Sequence, residues 1–391
     1  MAMLSTLAIR NYRSLLKLVV PLGRLTVITG PNGSGKSNLY RAVRLLAETA
    51  QGGVVNSLAR EGGLESTFWA GPENITRKMR KGEVPIQGGP RQEVKRLRLG
   101  FAGEDFGYSI SLGLPKPSAV SFFSLDPEIK RECIWAGPVY RPASLLVDRE
   151  GPVVKVRSER KWNVVSQHIN VFDSMFDQLA DPNAAPEVFE MREIIRGWRF
   201  YDHFRTDSGA PARTPQLGTR TPVLHHDGRD LAAALQTIRE IGDHAALNDA
   251  ISDAFPGARL DITIQQDGRF AVQFHQQGLL RPLSGAELSD GTLRYLLWVA
   301  ALLTPRPPSL MVLNEPETSL HPDLLPALAR LIIRASQRSQ VWVVSHASRL
   351  IAALSEHPDC HAIALEKDLG QTQVVGQGML DEPAWYWPDQ A

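Results

Sequence analysis

A glycine-rich motif near the start of the chain constrains the fold more than any other feature. Residues 30–37 read GPNGSGKS and match G-x-x-x-x-G-K-[ST], the phosphate-binding P-loop. The apolar, β-branched run before the motif, residues 24–29, predicts a buried strand. The residues after it place Leu39, Val43 and Leu46 on one face of a helix. Strand, glycine loop and helix therefore follow in the order that a P-loop requires.

The chemistry of this loop follows from its backbone. Glycines let consecutive N–H groups turn inward, and the helix N-terminus adds partial positive charge, so the loop forms a nest for phosphate oxygens. We expect Lys36 to contact the β- and γ-phosphates of ATP and the Ser37 hydroxyl to ligate Mg²⁺. The predicted nucleotide-binding residues of the loop are Asn32, Gly33, Ser34, Gly35, Lys36, Ser37 and Asn38.

Composition adds few constraints. The length of 391 residues allows two or three domains. Cys133 and Cys360 are the two cysteines, which argues against a disulfide framework or a metal cluster and favours a reducing, cytoplasmic location. The start of the chain lacks a secretion-signal pattern and no apolar run reaches membrane-spanning length, so we expect no membrane partner. A formal net charge of +1 gives no general argument for nucleic-acid binding.

The region after the P-loop helix predicts hairpins, loops and short helices. Residues 51–89 are rich in glycine and charge and predict an irregular surface segment, and residues 206–222 predict a loop or linker. The predicted hairpins pair 93–102 with 108–114, 144–147 with 153–156, and 260–264 with 270–274. The predicted helices are 170–179, 187–198 and 229–241.

The last part of the chain alternates strands with helices. Strands are predicted at 309–313, 340–344, 362–365 and 373–375, and helices at 290–303, 323–335 and 349–355. This alternation predicts an α/β fold whose mostly parallel sheet includes the P-loop strand. We therefore expect one head with a first lobe (1–115), a helical and β insertion lobe (116–285) and a part that closes the sheet (286–391).

Polar residues follow the predicted strand 309–313. Ligands of open α/β sheets bind at the carboxyl ends of strands, so we expect Asn314 and Glu315 beside the phosphates. The Glu315 carboxylate is then placed to orient or deprotonate an attacking water.

Taken together, short segments at both ends of the chain resemble an ABC-type ATPase head of the RecF/SMC branch, which includes the overcoming-lysogenization-defect ATPases. Residues 7–14 resemble the opening strand of that branch, and residues 30–37 resemble Walker A. The remaining matches are 288–292 with the signature loop, 313–317 with Walker B, 319–322 with the D-loop and 343–346 with the switch histidine. The resemblance implies a P-loop NTPase head with an antiparallel β subdomain and a helical second lobe.

The resemblance also implies a site. Glu315 would be the catalytic glutamate, and His346 would hydrogen-bond the γ-phosphate or the attacking water. The signature loop of such a head caps the nucleotide of the other subunit, which implies a homodimer around two ATP·Mg²⁺. We further expect Ser289, Gly291 and Thr292 to contact ATP. The metal is expected to be contacted by Ser37, Asn314 and Gln167, which is favoured over Gln87.

Three features of the predicted site need interpretation: a second possible signature loop, and two residues that differ from those usual in the family. Residues 283–287 also resemble a signature loop, but we favour Ser289 because a strongly apolar helix begins directly after it. Asn314 replaces the usual aspartate and brings no charge, which favours lower metal affinity. Asp290 replaces a glycine, and its carboxylate either points away from the γ-phosphate or slows turnover.

Three outputs are consistent with such a head. The first is a DNA-associated ATPase of repair or phage defence, the second is a slow nucleotide-switched scaffold for an effector protein, and the third is a transporter subunit, which the opening strand and signature loop disfavour. A local basic stretch is either a DNA path or a solvated face; it comprises Arg77, Lys78, Arg80, Lys81, Arg91, Lys95, Arg96 and Arg98.

Two other clusters of residues have both a functional and an ordinary structural interpretation. His225, His226 and Asp227 resemble metal ligands, but no matching cluster accompanies them, and we interpret them as a loop. The aromatic residues 385–387 either dock a partner or cap a strand.

Overall fold

The computed structural model describes residues 3–89, 94–117, 121–159, 161–179, 181–378 and 380–390. The chain forms two compact units. Unit 1 comprises Met1–Gly23, Gly30–Trp198 and Ile363–Ala391, and unit 2 comprises Arg24–Thr29 and Arg199–Ala362. Within the described ranges, no helix combines the length and the apolar character needed to cross a membrane.

The β-strands span both units. In chain order they are β1 (Leu4–Tyr12), β2 (Leu15–Pro21), β3 (Leu25–Thr29), β4 (Leu97–Gly103), β5 (Phe106–Gly113), β6 (Glu128–Ala136), β7 (Leu145–Glu150), β8 (Val153–Ser158), β9 (Lys161–Ser166), β10 (Arg199–Tyr201), β11 (Gln216–Leu217), β12 (Arg259–Ile264), β13 (Arg269–His275), β14 (Leu283–Ser284), β15 (Leu310–Asn314), β16 (Gln340–Val344), β17 (Cys360–Asp368) and β18 (Gln371–Val374).

The α-helices also occur in both units. In chain order they are α1 (Lys36–Thr49), α2 (Val54–Arg60), α3 (Leu64–Thr67), α4 (Arg77–Arg80), α5 (Met175–Gln178), α6 (Pro186–Arg196), α7 (Leu231–Ile241), α8 (His244–Ala254), α9 (Asp290–Leu302), α10 (Leu325–Ser336) and α11 (Ser348–Ser355).

Unit 1 is built on an antiparallel sheet with the strand order β2-β1-β4-β5-β6-β7-β8-β9. Every residue of β4 is buried. Phe101 of β4 packs edge-on against Trp198, with 5.2 Å between ring centroids. A Cβ on the neighbouring Gly100 would meet the Trp385 ring at 2.6 Å. Because successive side chains of a strand point to opposite faces, both faces of the sheet are covered at β4.

The C-terminal aromatic segment, residues 385–387, packs on one face of this sheet. The Trp385 ring lies 5.5 Å from the Trp135 ring and 5.3 Å from the Trp387 ring, centroid to centroid. The Asp389 carboxylate then accepts hydrogen bonds from Arg98 Nε at 2.8 Å and Arg96 Nη1 at 3.1 Å. Of the two interpretations of residues 385–387, the structure supports strand capping.

Unit 2 contains a parallel sheet with the strand order β10-β15-β16-β3. The residues of β16 are all buried, as are those of β15 up to Leu313, because parallel strands are covered on both faces and therefore need continuous apolar runs. Helix α9 is buried from Leu293 to Leu302, and apart from Arg294 this stretch is almost entirely apolar. A smaller antiparallel sheet, in the order β11-β13-β12 with β14 on β13, completes the unit.

The predicted fold class is confirmed: the chain contains a parallel α/β sheet and an antiparallel β subdomain. The interpretation of residues 51–89 as irregular is wrong, since they contain α2, α3 and α4. These helices have seven, four and four residues, too few to repeat an apolar pattern. The predicted helix 170–179 shrinks to α5. The division into three lobes stays a prediction, and β5 and β6, on either side of residue 115, pair in one sheet.

Candidate functional site

The P-loop in unit 1 begins directly after β3 and ends in α1. Gly33 and Gly35 have φ angles of +80° and +109°, which glycine adopts at little cost. A Cβ at Gly35 would also meet Thr372 Oγ1 at 2.1 Å. Both the backbone conformation and the available space therefore require glycine at this position.

Lys36 is the charged residue of this loop and is only 7% exposed. Its Nζ donates hydrogen bonds to the carbonyl oxygens of Gly30 at 2.6 Å and Pro31 at 3.1 Å. Both acceptors are neutral, so neither balances the charge of the ammonium group. An anionic ligand in the loop would balance it.

A buried hydroxyl group in the loop points to the same kind of ligand. Ser34 is 1% exposed, and its Oγ has no hydrogen-bond partner among the described residues. A buried polar atom without a partner costs roughly 1–3 kcal/mol. Asn32, Gly33 and Ser37 are exposed at the same loop. These residues fit a nucleotide phosphate group.

Two distant residues fix the loop. Thr372 Oγ1 donates to the carbonyl oxygen of Ser34 at 2.8 Å and lies 2.7 Å from Ser14 Oγ. Asn38 Nδ2 in turn donates to Ser14 Oγ at 2.8 Å. The predicted binding residue Asn38 thus anchors the loop to the β1–β2 turn. Sequence reasoning missed Ser14 and Thr372 in this role because nothing local reveals the pairing.

In unit 2, three strands end at one edge of the parallel sheet. Asn314 of β15 pairs with Val344 of β16, and Val344 pairs with Ile28 of β3. The chain continues from the end of β3 into the P-loop. The segments that follow β15 and β16 therefore start at the edge from which the P-loop also starts.

Glu315 follows β15 in an unusual conformation. Its φ angle is +49°, in the left-handed region that costs an L-residue about 1–2 kcal/mol. Its N–H donates to the Val344 carbonyl oxygen at 2.7 Å, which ties the turn to β16. The side chain remains 44% exposed and is accessible to a ligand.

His346 lies beside Glu315, and a second glutamate positions it. His346 Nδ1 is 3.4 Å from Glu315 Oε1 and 3.5 Å from Glu317 Oε1. Glu317 is 7% exposed, and its Oε1 accepts hydrogen bonds from Ser345 Oγ at 2.7 Å, His346 N at 3.1 Å and Ala347 N at 3.3 Å. The structure thus brings the two predicted catalytic residues together, and it adds Glu317, to which the sequence analysis gave no role.

Asn314 has a carboxylate neighbour that the sequence analysis did not anticipate. Its Nδ2 donates to Oδ1 of Asp202 at 3.2 Å, and Asp202 directly follows β10. By contrast, Gln167 is exposed after β9, at the opposite edge of the unit 1 sheet from the β1–β2 hairpin. Its assignment as a metal ligand stays a prediction, and this strand order argues against it.

The predicted signature loop at Ser289 lies at the N-terminus of a helix. Helix α9 begins directly after Ser289, whose Oγ caps it by accepting from Thr292 N at 3.1 Å. In the alternative loop, the Ser284 N–H and Oγ both donate to Glu287 Oε2, at 2.9 and 3.0 Å. Hydrogen bonds from Arg281 and then Ser284 hold the pKa of Glu287 at about 2. A carboxylate therefore already occupies the donors that a phosphate would need at Ser284.

Asp290, next to the cap, is turned toward a buried arginine. Arg213 Nη2 donates to Asp290 Oδ1 at 2.6 Å, and the Arg213 side chain is 7% exposed. The same guanidinium donates to the carbonyl oxygens of Leu288 at 2.6 Å and Gly285 at 3.2 Å. Of the two alternatives for Asp290, this contact favours a carboxylate that points away, since Arg213 holds it.

The cluster His225, His226 and Asp227 lies in a loop, as expected, although its ligand atoms approach within 4.8 Å of one another. Arg229 Nη2 donates to His225 Nε2 at 2.8 Å, and Nδ1 lies 2.6 Å from Asp227 Oδ1. Since a guanidinium only donates, Nε2 carries no proton and Nδ1–H donates to Asp227. Both ring nitrogens of His225 are thereby engaged, which leaves neither for a metal.

Comparison with known families and curated proteins gives two matches. Residues 25–125 and 155–352 match the family described as "AAA domain, putative AbiEii toxin, Type IV TA system". A curated protein, the OLD nuclease of Thermus scotoductus (strain ATCC 700910 / SA-01), is 48% identical over 44 residues, which are 11% of this chain. The match spans only 8% of the length of that relative.

Solved structures of SMC heads share the fold. The SmcHead bound to the C-winged helix domain of ScpA aligns with a TM-score of 0.50 and 13% identity, over 96% of this chain and 98% of that chain. The SMC head domain from Thermotoga maritima aligns with a TM-score of 0.48 and 14% identity, over 96% of this chain and all of that chain. At 13% identity, the likeness to the SmcHead structure concerns the fold alone.

Proposed function

The chain belongs to the family described as "AAA domain, putative AbiEii toxin, Type IV TA system", and on this premise we propose that it hydrolyses ATP as a dimer that encloses two ATP·Mg²⁺. It is a RecF/SMC-like, ABC-type ATPase head of the OLD-like group. The observation that carries the proposal is the contact of Glu315 with His346 at the sheet edge where the chain enters the P-loop.

In the proposed reaction each residue has one task. The P-loop N–H groups and Lys36 would hold the phosphates, and the oxygens of Ser37 and Asn314 would hold Mg²⁺. Bound Mg²⁺ would neutralise charge that develops on the phosphate oxygens. Glu315 orients the attacking water and accepts its proton, and His346 holds the γ-phosphate or that water.

The dimer follows from the signature loop. The N-terminus of α9 presents Ser289, Gly291 and Thr292, and a helix N-terminus attracts phosphate. Each chain has one P-loop and one signature loop, so two copies would complete two sites. ATP would then hold the heads together, and hydrolysis would release them.

The proposal also concerns what the ATP-driven switch acts on, DNA or a partner protein. The basic stretch expected to follow DNA is largely engaged within unit 1: Arg80 pairs with Asp368, Lys95 lies over the Phe68 ring, and Arg96 and Arg98 bond Asp389. Arg91 lies outside the described residues. These contacts support a switch that holds a partner protein over a clamp that acts on DNA.

Nucleotide binding and phosphate release test the proposal. We expect the wild type to bind a fluorescent ATP analogue and release phosphate, and Lys36→Ala to bind it much more weakly. Glu315→Gln should still bind but release phosphate about 10²-fold more slowly or worse, because the general base is lost. Glu356→Gln, at an exposed residue after α11, serves as the control. A wild type that binds no nucleotide, or a Glu315→Gln variant with normal phosphate release, would contradict the proposal.

Adding duplex DNA separates the two outputs. Phosphate release by a switch that binds a partner protein should not change when DNA is added, whereas release by a clamp on DNA should.

A further inference from the structure

The antiparallel sheet of unit 1 ends in two edge strands, β2 and β9. The C-terminal segment covers β2, since Gln377 Nε2 donates to the Val19 carbonyl oxygen at 2.9 Å and Trp387 packs in one cluster with Val19. In the part of the chain that the structure describes, β9 pairs with β8 and with no other strand. We propose that the open edge of β9 binds an extended, acidic segment of a partner protein, which joins the sheet as a further strand. The inference names the partner of the proposed switch, and it rests on the proposed function in so far as ATP controls that partner.

The side chains of β9 offer an anchor to such a segment. β9 has six residues, the usual length of a strand, and its first four residues are exposed. Trp162 is 41% exposed and Val164 is 49% exposed. Because alternate residues of a strand point to the same face, these two side chains form one apolar strip. Tryptophan is enriched among the residues that contribute most to protein–protein binding, so the strip is suited to hold side chains of a second chain.

The backbone of β9 specifies that the ligand is extended. In an antiparallel pair, alternate residues direct their N–H and C=O groups to the neighbouring strand, and the residues between them direct theirs outward. At an edge these outward groups are available to a strand of another chain. Lys161 at the start of β9, and the register shift between Val154 and Lys155, are features that limit indiscriminate pairing. A partner strand must therefore also be complementary in charge.

The β8–β9 hairpin carries more basic than acidic side chains. Its described charged residues are Lys155, Arg157, Glu159 and Lys161. Lys155 lies opposite Val164, and Arg157 lies opposite Trp162, in the register of the two strands. Residues that lie opposite each other share a face, so two of the basic side chains flank the apolar strip. Acidic side chains at alternate positions of a partner strand would pair with them, which sets the chemistry of the partner.

Two other occupants fit the open edge of β9 less well. A second copy of this chain would bring the same basic residues to the interface, and like charges repel. Single-stranded nucleic acid would stack on Trp162 and attract the lysines. Its phosphates only accept hydrogen bonds, however, so they would leave the carbonyl oxygens of the edge without donors. An acidic peptide strand supplies both donors and acceptors.

The experiment selects ligands with the full chain in the absence of nucleotide. The probe is a displayed library of random peptides of about ten residues, long enough to pair along β9. We expect the selected sequences to alternate β-branched residues with Asp or Glu. A selected peptide is then labelled, and its affinity is measured by fluorescence polarisation. Two further versions carry N-methyl groups at the odd or at the even positions. One version should lose binding and the other should keep it, because only one set of N–H groups faces β9.

Variants of the chain locate the bound peptide. Trp162→Ala removes the anchor, and Lys155→Glu/Lys161→Glu reverses the charge, so each should weaken binding by about 10-fold or more. The matched control is Lys78→Glu/Lys81→Glu, at exposed lysines in and directly after α4, which should bind like the wild type. Circular dichroism and urea unfolding should be the same for all variants, which excludes misfolding as the cause.

Three results of these assays would overturn the inference: a selection that yields no acidic peptide, normal affinity of Trp162→Ala and Lys155→Glu/Lys161→Glu, or equal affinity of the two N-methylated peptides. A labelled oligothymidine that binds the wild type but not Trp162→Ala would overturn it in favour of nucleic acid. A doubled mass in light scattering without nucleotide, absent in Trp162→Ala, would overturn it in favour of a second copy.

Failure of the proposed function would look different. A chain that binds the acidic peptide but no nucleotide would overturn the proposed function. A chain that binds ATP and releases phosphate but binds no acidic peptide would overturn the inference alone.

Discussion

At the residue scale, the buried Glu317 determines where the exposed His346 lies. Its Oε1 binds the backbone N–H groups of His346 and Ala347 and the hydroxyl of Ser345. His346 itself is 54% exposed and has few contacts that would hold it otherwise. A short turn after β15 thus connects the proposed base, Glu315, to the residue that orients the histidine.

Substitutions at Glu317 test this positioning. Glu317→Ala leaves three donors without their acceptor and should lower the free energy of unfolding by about 2–4 kcal/mol, since each buried donor left unpaired costs roughly 1–3 kcal/mol and the effects are not additive. Glu317→Gln retains one acceptor oxygen and should lose less. Urea unfolding measures both, and single-turnover hydrolysis should fall in Glu317→Ala while the affinity for ATP stays normal. Equal stability of Ala and Gln variants would contradict the positioning role.

Residues of the site were predictable where their role depends on local sequence. The P-loop, Glu315 and His346 each belong to a short motif or follow a strand with an obvious apolar pattern. Asp202 and Thr372 contact Asn314 and Ser34 across long stretches of chain. Such contacts depend on strand order and register, which periodicity in one segment does not contain.

At the element scale, Arg213 contacts the residues on either side of Ser289, in the predicted signature loop. It donates to the carbonyl oxygens of Gly285, inside the alternative loop, and of Leu288, and it pairs with Asp290. The sequence predicted only a loop over residues 206–222, because an arginine between prolines carries no signal of burial. The first turn of α9 therefore depends on a residue far upstream in the chain.

Removing Arg213 should loosen this loop. Arg213→Ala frees buried carbonyl groups, and we expect faster amide hydrogen exchange over residues 284–293 and a loss of stability of about 2–4 kcal/mol. Arg205→Ala, at an exposed arginine of the same segment, is the control. Unchanged exchange in Arg213→Ala would show that the loop is held by other contacts.

The C-terminal segment gives a pH prediction. Burial opposes ionisation of Asp389, but the hydrogen bond and charge of Arg98, with Ser111 and Arg96, hold its pKa below the ordinary 3.8. A lowered pKa in the folded state means that the carboxylate stabilises the fold above pH 3.8 and loses this effect as the pH falls through the folded pKa. Asp389→Asn should therefore be less stable than the wild type at pH 7, and the difference should become smaller as the pH falls below 3.8. Urea unfolding between pH 7 and pH 3 measures this, with Asp249→Asn as an exposed control. A difference that does not become smaller in acid would contradict the assignment.

Most long elements were predictable, and most short ones were not. Three strands of the parallel sheet, β3, β15 and β16, and the hairpin of β4 and β5 carry continuous or alternating apolar residues between clear turn signals. β6 and β10 were missed, although both pair with predicted strands. β10 has only three residues and becomes a strand only because β15 provides a partner.

At the scale of the whole molecule, the sequence motifs are divided between the two compact units. The P-loop belongs to unit 1, whereas Glu315, His346 and the signature loop belong to unit 2. The strand β3 belongs to unit 2, and the chain runs from it directly into the P-loop. Because one chain carries one P-loop and one signature loop, the central claim is that ATP brings two chains together.

Light scattering on the wild type and Glu315→Gln, with and without ATP·Mg²⁺, tests this claim most directly. We predict that Glu315→Gln has the mass of one 43.2 kDa chain without nucleotide and twice that mass with ATP·Mg²⁺, because the bound ATP is not hydrolysed. The double variant Lys36→Ala/Glu315→Gln should stay at the mass of one chain, since it lacks the phosphate-binding ammonium. A Glu315→Gln variant that stays at that mass in saturating ATP·Mg²⁺ would contradict the account.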